Sequence, residues 1–216
     1  MAIFQNFTGL RAETPYNMVF DAGAFIVGIN ETALRATGLE DALTTAWTWN
    51  GIEVTAAALG ATRGGATFDL QKEERQIEVN GARVPLMKMD RVDSMMPMLS
   101  VTLLEMADIA TLKYAMGQAT SSVTASGYTE VVPKIDVSTL DYIPNVALLA
   151  RTSRDDQSKP VIVVIRNAKI VENAPFQFED PGEMAAEVSF RGASPVTDAF
   201  TVPCSVYVPV LEGSGS

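Results

Sequence analysis

The feature that most constrains the fold is a set of β-strand patterns in the second half of the chain. The strictest covers residues 184–191, where every second residue is apolar: Met184, Ala186, Val188 and Phe190. Such alternation is typical of a strand with one buried and one solvated face. Residues 160–166 are mostly apolar and β-branched, which predicts a strand covered on both faces, by a second sheet or by a neighbouring subunit. Residues 201–209 form another strand pattern, in which Pro203 and Pro209 favour an edge position.

Strand patterns also occur in the first half of the chain. They cover residues 25–29, 67–70, 75–79 and 98–104. Directly after residue 79, Asn80-Gly81 predicts a hairpin turn, because both residues accept positive φ.

One amphipathic helix is predicted from Asp108 to Met116. Its apolar residues Ile109, Leu112 and Met116 recur at helical spacing, and Asp108 can cap its start. We expect this apolar stripe to pack against a sheet. Residues 39–47 favour a second helix. The patterns together predict a mainly β fold, an antiparallel β-sandwich or barrel with one flanking α-helix, long loops and terminal arms.

The length of 216 residues predicts a single domain over residues 1–212, followed by a flexible tail at 213–216. Residues 31–65, 83–97 and 118–127 are interpreted as long loops that contact other subunits. The second of these loops is rich in methionine, at Met87, Met89, Met95 and Met96. Methionine adapts to irregular partner surfaces, so these four are predicted to make subunit or ring contacts, with core filling as the alternative.

The composition argues against most catalytic chemistry. The chain contains no histidine, which removes the commonest general base and the commonest zinc and iron ligand. No glycine loop has phosphate-binding spacing, and residues 61–65 are interpreted as a turn. A single cysteine, Cys204, excludes an intrachain disulfide, and its apolar setting predicts an inert packed thiol. We therefore predict a non-enzymatic protein with no catalytic residue, no cofactor and no metal site.

Charge and hydropathy bear on partners and location. Sixteen basic against 26 acidic side chains give a net charge of −10, which opposes binding to a phosphate backbone. The first residues lack a basic and then apolar leader pattern, and no long stretch is apolar enough to span a bilayer. The chain is therefore expected to fold in a cytoplasm, without a membrane anchor.

A series of short motifs lies between Gly60 and Gly117. The glycine-rich residues 60–65 lead into Phe68, and residues 75–83 follow with the sequence RQIEVNGAR. A strand then ends in Leu103-Leu104-Glu105 and continues directly into the helix described above. In this order, over about a quarter of the chain, the segment resembles the major tail tube proteins of long-tailed, siphovirus-type bacteriophages. Residues 84–88 depart from the family pattern, because a glycine-rich turn is expected around Pro85.

The resemblance implies a structural subunit that closes into hexameric rings, which stack into a hollow tube. Such a tube surrounds the tape-measure protein, ends at tail terminator and tail tip proteins, and conducts double-stranded DNA without binding it specifically. The implied location is the virion, after assembly in the cytoplasm of the bacterial host. The solvated sheet face would line the lumen, and the strand alternation assigns Gln76, Glu78 and Glu187 to that face.

Two alternatives stay open. The first is the tube subunit of a tailocin or another contractile injection system. The second is a soluble β-sandwich module that binds carbohydrate, with Trp47 and Trp49 as an aromatic platform. These two tryptophans could equally form a core or interface pair.

Overall fold

The computed structural model describes residues 19–77, 84, 87, 89–116, 120–123, 127–133, 142–152, 159–172 and 184–210. The fold has 51% strand against 15% helix, which confirms the predicted mainly β class. The helices are α1 (Glu31–Ala36), α2 (Leu39–Thr44) and α3 (Ile109–Ala115), and a 3₁₀ turn covers Val196–Asp198. The strands, in chain order, are β1 (Val19–Val27), β2 (Trp47–Trp49), β3 (Ile52–Val54), β4 (Ala57–Ala58), β5 (Thr62–Gln76), β6 (Asp90–Leu103), β7 (Thr120–Val123), β8 (Thr129–Val132), β9 (Val146–Thr152), β10 (Val161–Ile165), β11 (Lys169–Glu172), β12 (Ala186–Arg191) and β13 (Cys204–Tyr207).

Two larger sheets organise the described part of the chain. One has the strand order β13-β10-β9-β1-β4 and the other the order β11-β12-β6-β5. The pairs among the described strands are all antiparallel, and β2-β3 and β7-β8 form two separate hairpins. Within the described residues neither larger sheet closes into a barrel. The edge position predicted from the two prolines is confirmed, because β13 lies at the end of its sheet.

The largest buried cluster takes side chains from both sheets. Phe25 of β1 meets Phe190 of β12 with 5.2 Å between ring centroids, a favourable aromatic separation. The alternation predicted for β12 holds at Ala186, Val188 and Phe190, which are buried, and at Glu187, which is exposed, but Ser189 on the other face is buried as well. These inward positions form the contact between the sheets.

Strand β10 is buried on both faces, as its continuous apolar sequence predicts. Val163 and Ile165 join the cluster between the sheets. Ile162 and Val164 point the other way and pack in a second cluster against residues of α1 and α2. The second cover is therefore a pair of helices from the same chain, and neither a sheet nor a neighbouring subunit.

The prediction of one flanking helix is wrong, because the described residues already form three α-helices. Helix α2 confirms the expected helix at 39–47 but ends at Thr44. Helix α1 was missed. It spans six residues, too few for a periodic apolar stripe, and its stabilising feature is local: the Asn30 side chain accepts from the backbone N–H of Ala33 at 3.1 Å.

Helix α3 begins where predicted but buries a different face. The Asp108 carboxylate accepts from the backbone N–H of Thr111 at 2.9 Å, which confirms the N-cap. The buried residues are Thr111 and Ala115, whereas Ile109 is 41% exposed. Small side chains let the helix backbone approach the core closely, and the Thr111 hydroxyl contacts the carbonyl oxygen of Leu59 at 3.4 Å. The predicted stripe led by Ile109 is therefore wrong.

Much of the three stretches interpreted as loops has regular structure. Residues 31–65 contain α1, α2, β2, β3, β4 and the start of β5. In the stretch 83–97, strand β6 already begins at Asp90, and in the stretch 118–127 lies strand β7.

The predicted turn at Asn80-Gly81 lies outside the described residues. Asn50-Gly51 forms such a turn instead, with positive φ at both residues between β2 and β3. No helix in the described ranges has the length and apolarity to cross a bilayer.

Candidate assembly surface

The β5–β6 hairpin is the longest element and extends beyond its own sheet. Its two strands pair from Thr62 opposite Leu103 to Gln76 opposite Asp90. Strand β12 covers β6 only from Met98 to Leu103. From Pro97 outward, in the described part of the chain, β6 therefore has β5 as its only strand partner. We call this two-stranded extension, residues 70–76 with 90–97, the arm.

The arm has little internal packing. Its cross-strand polar contacts are an ion pair of Arg75 with Asp93 at 3.3 Å and a hydrogen bond from Ser94 to Glu73 at 3.0 Å. Its side chains are mostly exposed, including the apolar Leu70 and Val92. An isolated two-stranded hairpin is at best marginally stable in water, and surface ion pairs add little. The contacts within the described part of the chain therefore stabilise the arm only weakly.

The outer edge of β5 is available for pairing. Strand β5 is the last strand of its sheet, and no described strand pairs with its other side. The carbonyl oxygen of Pro97 accepts from the N–H of Gly192, so the polar backbone atoms of Pro97 point away from β5. Its partner Leu70, and with it Lys72 two residues on, consequently direct their N–H and C=O groups toward the free edge. Such groups are a template for another strand.

The outer face of the four-stranded sheet is polar and carries both signs of charge. The outward residues form rows across the strands: Arg63, Thr102 and Glu187 in one, Asp69, Met98 and Arg191 in another. Between these rows the hydroxyls of Ser100 and Ser189 are 2.8 Å apart. The net charge of the chain is thus not concentrated on this face of the described strands.

The two described residues among the predicted lumen residues, Gln76 and Glu187, lie far apart in the four-stranded sheet. Gln76 is exposed at the end of the arm, opposite Asp90, whereas Glu187 is exposed at the other end of the sheet, in the row of Arg63. Arg63 and Gln76 are thirteen positions apart along β5, roughly 40 Å at about 3.3 Å per residue. Glu78 lies outside the described residues.

The four methionines predicted to contact other subunits lie in the second strand of the arm or just before that strand in the sequence. Met87 is 90% exposed, and Met89 is half-buried just before β6, where its carbonyl oxygen accepts from the N–H of Ile77 at 2.9 Å. Met95 and Met96 are half-buried within β6, opposite Lys72 and Gln71. The last two are therefore strand residues, and the interpretation of their segment as a loop is wrong.

The two ends of the glycine-led motif meet at the base of the hairpin. The backbone N–H of Ala61 donates to the Glu105 carboxylate at 2.9 Å. Gly60 has a φ of +78°, and a Cβ placed there would lie 2.5 Å from a Glu105 oxygen. Further on, Gly64 and Gly65 also have positive φ and lie at a register shift inside β5, so the predicted turn at residues 61–65 is instead a bulge in a strand.

Gly60→Ala is expected to lower the free energy of unfolding by about 2 kcal/mol, since a left-handed backbone disfavours alanine by about 1–2 kcal/mol. The close contact of the new Cβ with Glu105 adds a further loss of stability. Gly64→Ala is the matched control, because Gly64 has a φ of +72° but no atom within 4 Å of the added Cβ. Chemical denaturation of both variants measures the difference. Equal losses would contradict the Glu105 contact.

A buried ionic cluster fixes the helices to the outer face of the five-stranded sheet. The Glu31 carboxylate accepts from Arg166 Nε at 2.6 Å and Nη2 at 2.5 Å, from Arg35 at 2.7 Å and from the Tyr207 hydroxyl. Burial raises the pKa of Glu31, but the hydrogen bonds from Arg166 and Tyr207 and the charges of both arginines outweigh it and lower that pKa to about 2. Sequence reasoning missed this cluster, whose only local signal is the i, i+4 pair of Glu31 and Arg35.

The two tryptophans considered from sequence as an aromatic platform are each anchored by a hydrogen bond. Trp47 and Trp49 are half-buried on β2, and the Trp47 indole N–H donates to the Gly28 carbonyl oxygen at 2.9 Å. Trp49 donates to the Asn167 side chain at 3.2 Å.

Cys204 is half-buried against the core, and burial raises the pKa of its thiol, as expected for an unreactive cysteine.

No group of three or more His, Cys, Asp or Glu side chains among the described residues could hold a metal ion. No protein-family model matches the chain, and no curated protein matches its sequence. The assembly surface must therefore be interpreted from its own geometry.

Proposed function

We propose that the chain is the major tail tube subunit of a long-tailed bacteriophage, a β-sandwich that polymerises through the free edges of its four-stranded sheet. The single observation that carries the proposal is the 15-residue strand β5, whose outer edge pairs with no described strand and whose end continues into the arm. Long unprotected edges promote association, and monomeric proteins normally blunt them.

The strand count of this sheet favours a ring. Its two edges are β5 on one side and β11 on the other. Because the sheet has four antiparallel strands, β5 of one copy and β11 of an equally oriented neighbour run in opposite directions. Head-to-tail pairing of these edges would thus continue the antiparallel order from subunit to subunit. Such a heterologous contact generates a closed ring if its rotation closes.

The arm supplies a second contact in this proposal. It projects past the end of β12, so in a ring it would extend beyond the sheet toward a neighbouring subunit or the next ring. Its exposed apolar residues and the exposed Met87 would be buried there. Ordering and covering the arm in the assembly would offset the instability of a lone hairpin.

Charge supports the transport part of the proposal. The net charge of −10 would make the tube repel DNA on average. A passing duplex would therefore not gain the counterion release that stabilises its binding to a basic surface. Pairing β5 with β11 would place the polar face with Glu187 on one side of the ring wall. We assign that side, which carries Glu187, to the lumen. The same geometry would serve a contractile injection system.

The purified protein is expected to form rings with a central channel, or stacked tubes, as its concentration is raised. Negative-stain electron microscopy and sedimentation velocity over a concentration series measure this directly. The proposal would be overturned by a single small species at every concentration, both in lysates of expressing cells and after purification.

A further inference from the structure

A cavity of about 390 Å³ lies between the β2–β3 hairpin and the loop that follows β12. Its volume is within the range of about 300–1,000 Å³ that is usual for small-ligand sites. The lining residues come from four separate segments: Trp49, Asn50, Tyr142, Asn167, Ala193, Ser194, Pro195 and Val196. None of the assembly contacts proposed above uses this cavity.

The lining combines flat aromatic rings with uncharged polar groups. Trp49 and Tyr142 provide the rings, and Asn50, Asn167 and Ser194 provide amides and a hydroxyl. None of the described lining residues is an acid, a lysine or an arginine. A phosphate, a carboxylate or a cation would therefore find no opposite charge in the cavity, which favours a neutral ligand.

The Trp49 ring is held in place by its surroundings. Its indole N–H donates to the side-chain oxygen of Asn167, whose amide nitrogen donates to the carbonyl oxygen of Ala193 at 3.1 Å. Asn167 has a φ of 45°, a left-handed backbone that few residues adopt. A ring oriented before binding loses little side-chain entropy when a ligand stacks on it.

We propose that this cavity binds a neutral saccharide. A pyranose ring has an apolar C–H face that stacks on an aromatic ring, and hydroxyl groups that both donate and accept hydrogen bonds. The cavity offers two aromatic side chains, the amide of Asn50 and the hydroxyl oxygen of Ser194, which can still accept after donating to the carbonyl oxygen of Thr201. The Asn167 amide already pairs with Trp49 and Ala193, so its remaining N–H and lone pair are what a ligand could use. The tube subunit would then carry a glycan-binding site that is independent of its assembly contacts.

The test follows the indole N–H signals of the two tryptophans by ¹⁵N-correlated NMR of the subunit, with Trp49→Phe assigning each signal. The probes are neutral cello-, malto-, manno- and N-acetylated chito-oligosaccharides at millimolar concentration. We expect at least one of them to shift the Trp49 signal saturably and to leave the Trp47 signal in place. Tyr142→Ala should weaken that binding about tenfold, the upper range for one lost aromatic contact.

The proposal is overturned if no saccharide shifts the Trp49 signal, or if the shift keeps its affinity in Tyr142→Ala. It is equally overturned if only a proline-rich peptide, tested as an aromatic-groove ligand, shifts that signal. Thermal melts check that Tyr142→Ala is folded. Asn50 also lines the cavity, so Asn50→Ala provides a second variant that should weaken saccharide binding if Tyr142→Ala is unstable. Because the measurement uses the single subunit, failure to assemble would not affect it.

Discussion

Replacing Leu70 and Lys72 together by proline is expected to abolish ring and tube formation while the subunit remains folded. Both residues direct their N–H groups toward the free edge of β5, so the substitutions remove two donors from the proposed interface and none from the β5–β6 pairing. Proline is tolerated on edge strands in that orientation. Negative-stain microscopy reports assembly, and circular dichroism with thermal melting reports the fold.

A threonine double variant at the same positions separates backbone from side-chain effects. Leu70→Thr with Lys72→Thr loses the same side chains, including the contact of Lys72 with Glu74, but keeps both donors and should still assemble. Gln71→Pro should instead destabilise the subunit, because the N–H of Gln71 points toward β6. Normal tubes from the proline double variant would contradict pairing through this edge.

The elements that sequence predicted correctly are those specified by local periodicity. Alternation fixed the buried face of β12, the continuous apolar run of β10 predicted burial on both faces, and the prolines around β13 predicted an edge. In each case the side-chain pattern over a few residues determines which face meets the core. The identity of the covering element is a tertiary property, and helices α1 and α2 could not be inferred from β10.

Helix α3 shows where periodicity misleads. Its largest apolar residues suggested one face, but close packing selected the face with Thr111 and Ala115 and left Ile109 exposed. The size of a side chain determines how near two elements can approach, and hydrophobicity alone does not describe this. Asp108, in contrast, was predictable as the cap because its hydrogen bond is made within three residues.

The candidate surfaces depended on long-range pairing and were only partly predictable. The sequence indicated strands at 67–70 and 75–79, but not that Thr62–Gln76 is one continuous strand whose edge has no described partner. The Glu31–Arg166 ion pair joins residues 135 positions apart, and no local pattern indicates it. Likewise, Trp49 and Asn167 meet across 118 positions to shape the cavity.

The Glu31 cluster leads to the largest expected loss of stability. Glu31→Gln should lower the free energy of unfolding by about 3–5 kcal/mol at neutral pH, because it leaves the largely buried Arg166 without its counter-charge. Urea denaturation of the variant and the parent measures the difference. Since α1 and α2 cover Ile162 and Val164, loosening of the cluster should also expose this part of the sheet.

Arg35→Ala is the matched control, because Arg35 contacts the same carboxylate but is 59% exposed, and exposed pairs contribute about 0–1 kcal/mol.

The pH dependence of stability gives a second measure of the contribution of the Glu31 carboxylate. The pKa of Glu31 is lowered from 4.5 to about 2 on folding, so its contribution is present above pH 4.5 and is lost as the pH falls toward 2. The parent should therefore lose about 3 kcal/mol more over this interval than Glu31→Gln. Equal acid sensitivity of the two proteins would show that Glu31 does not hold the helices to the sheet through its charge.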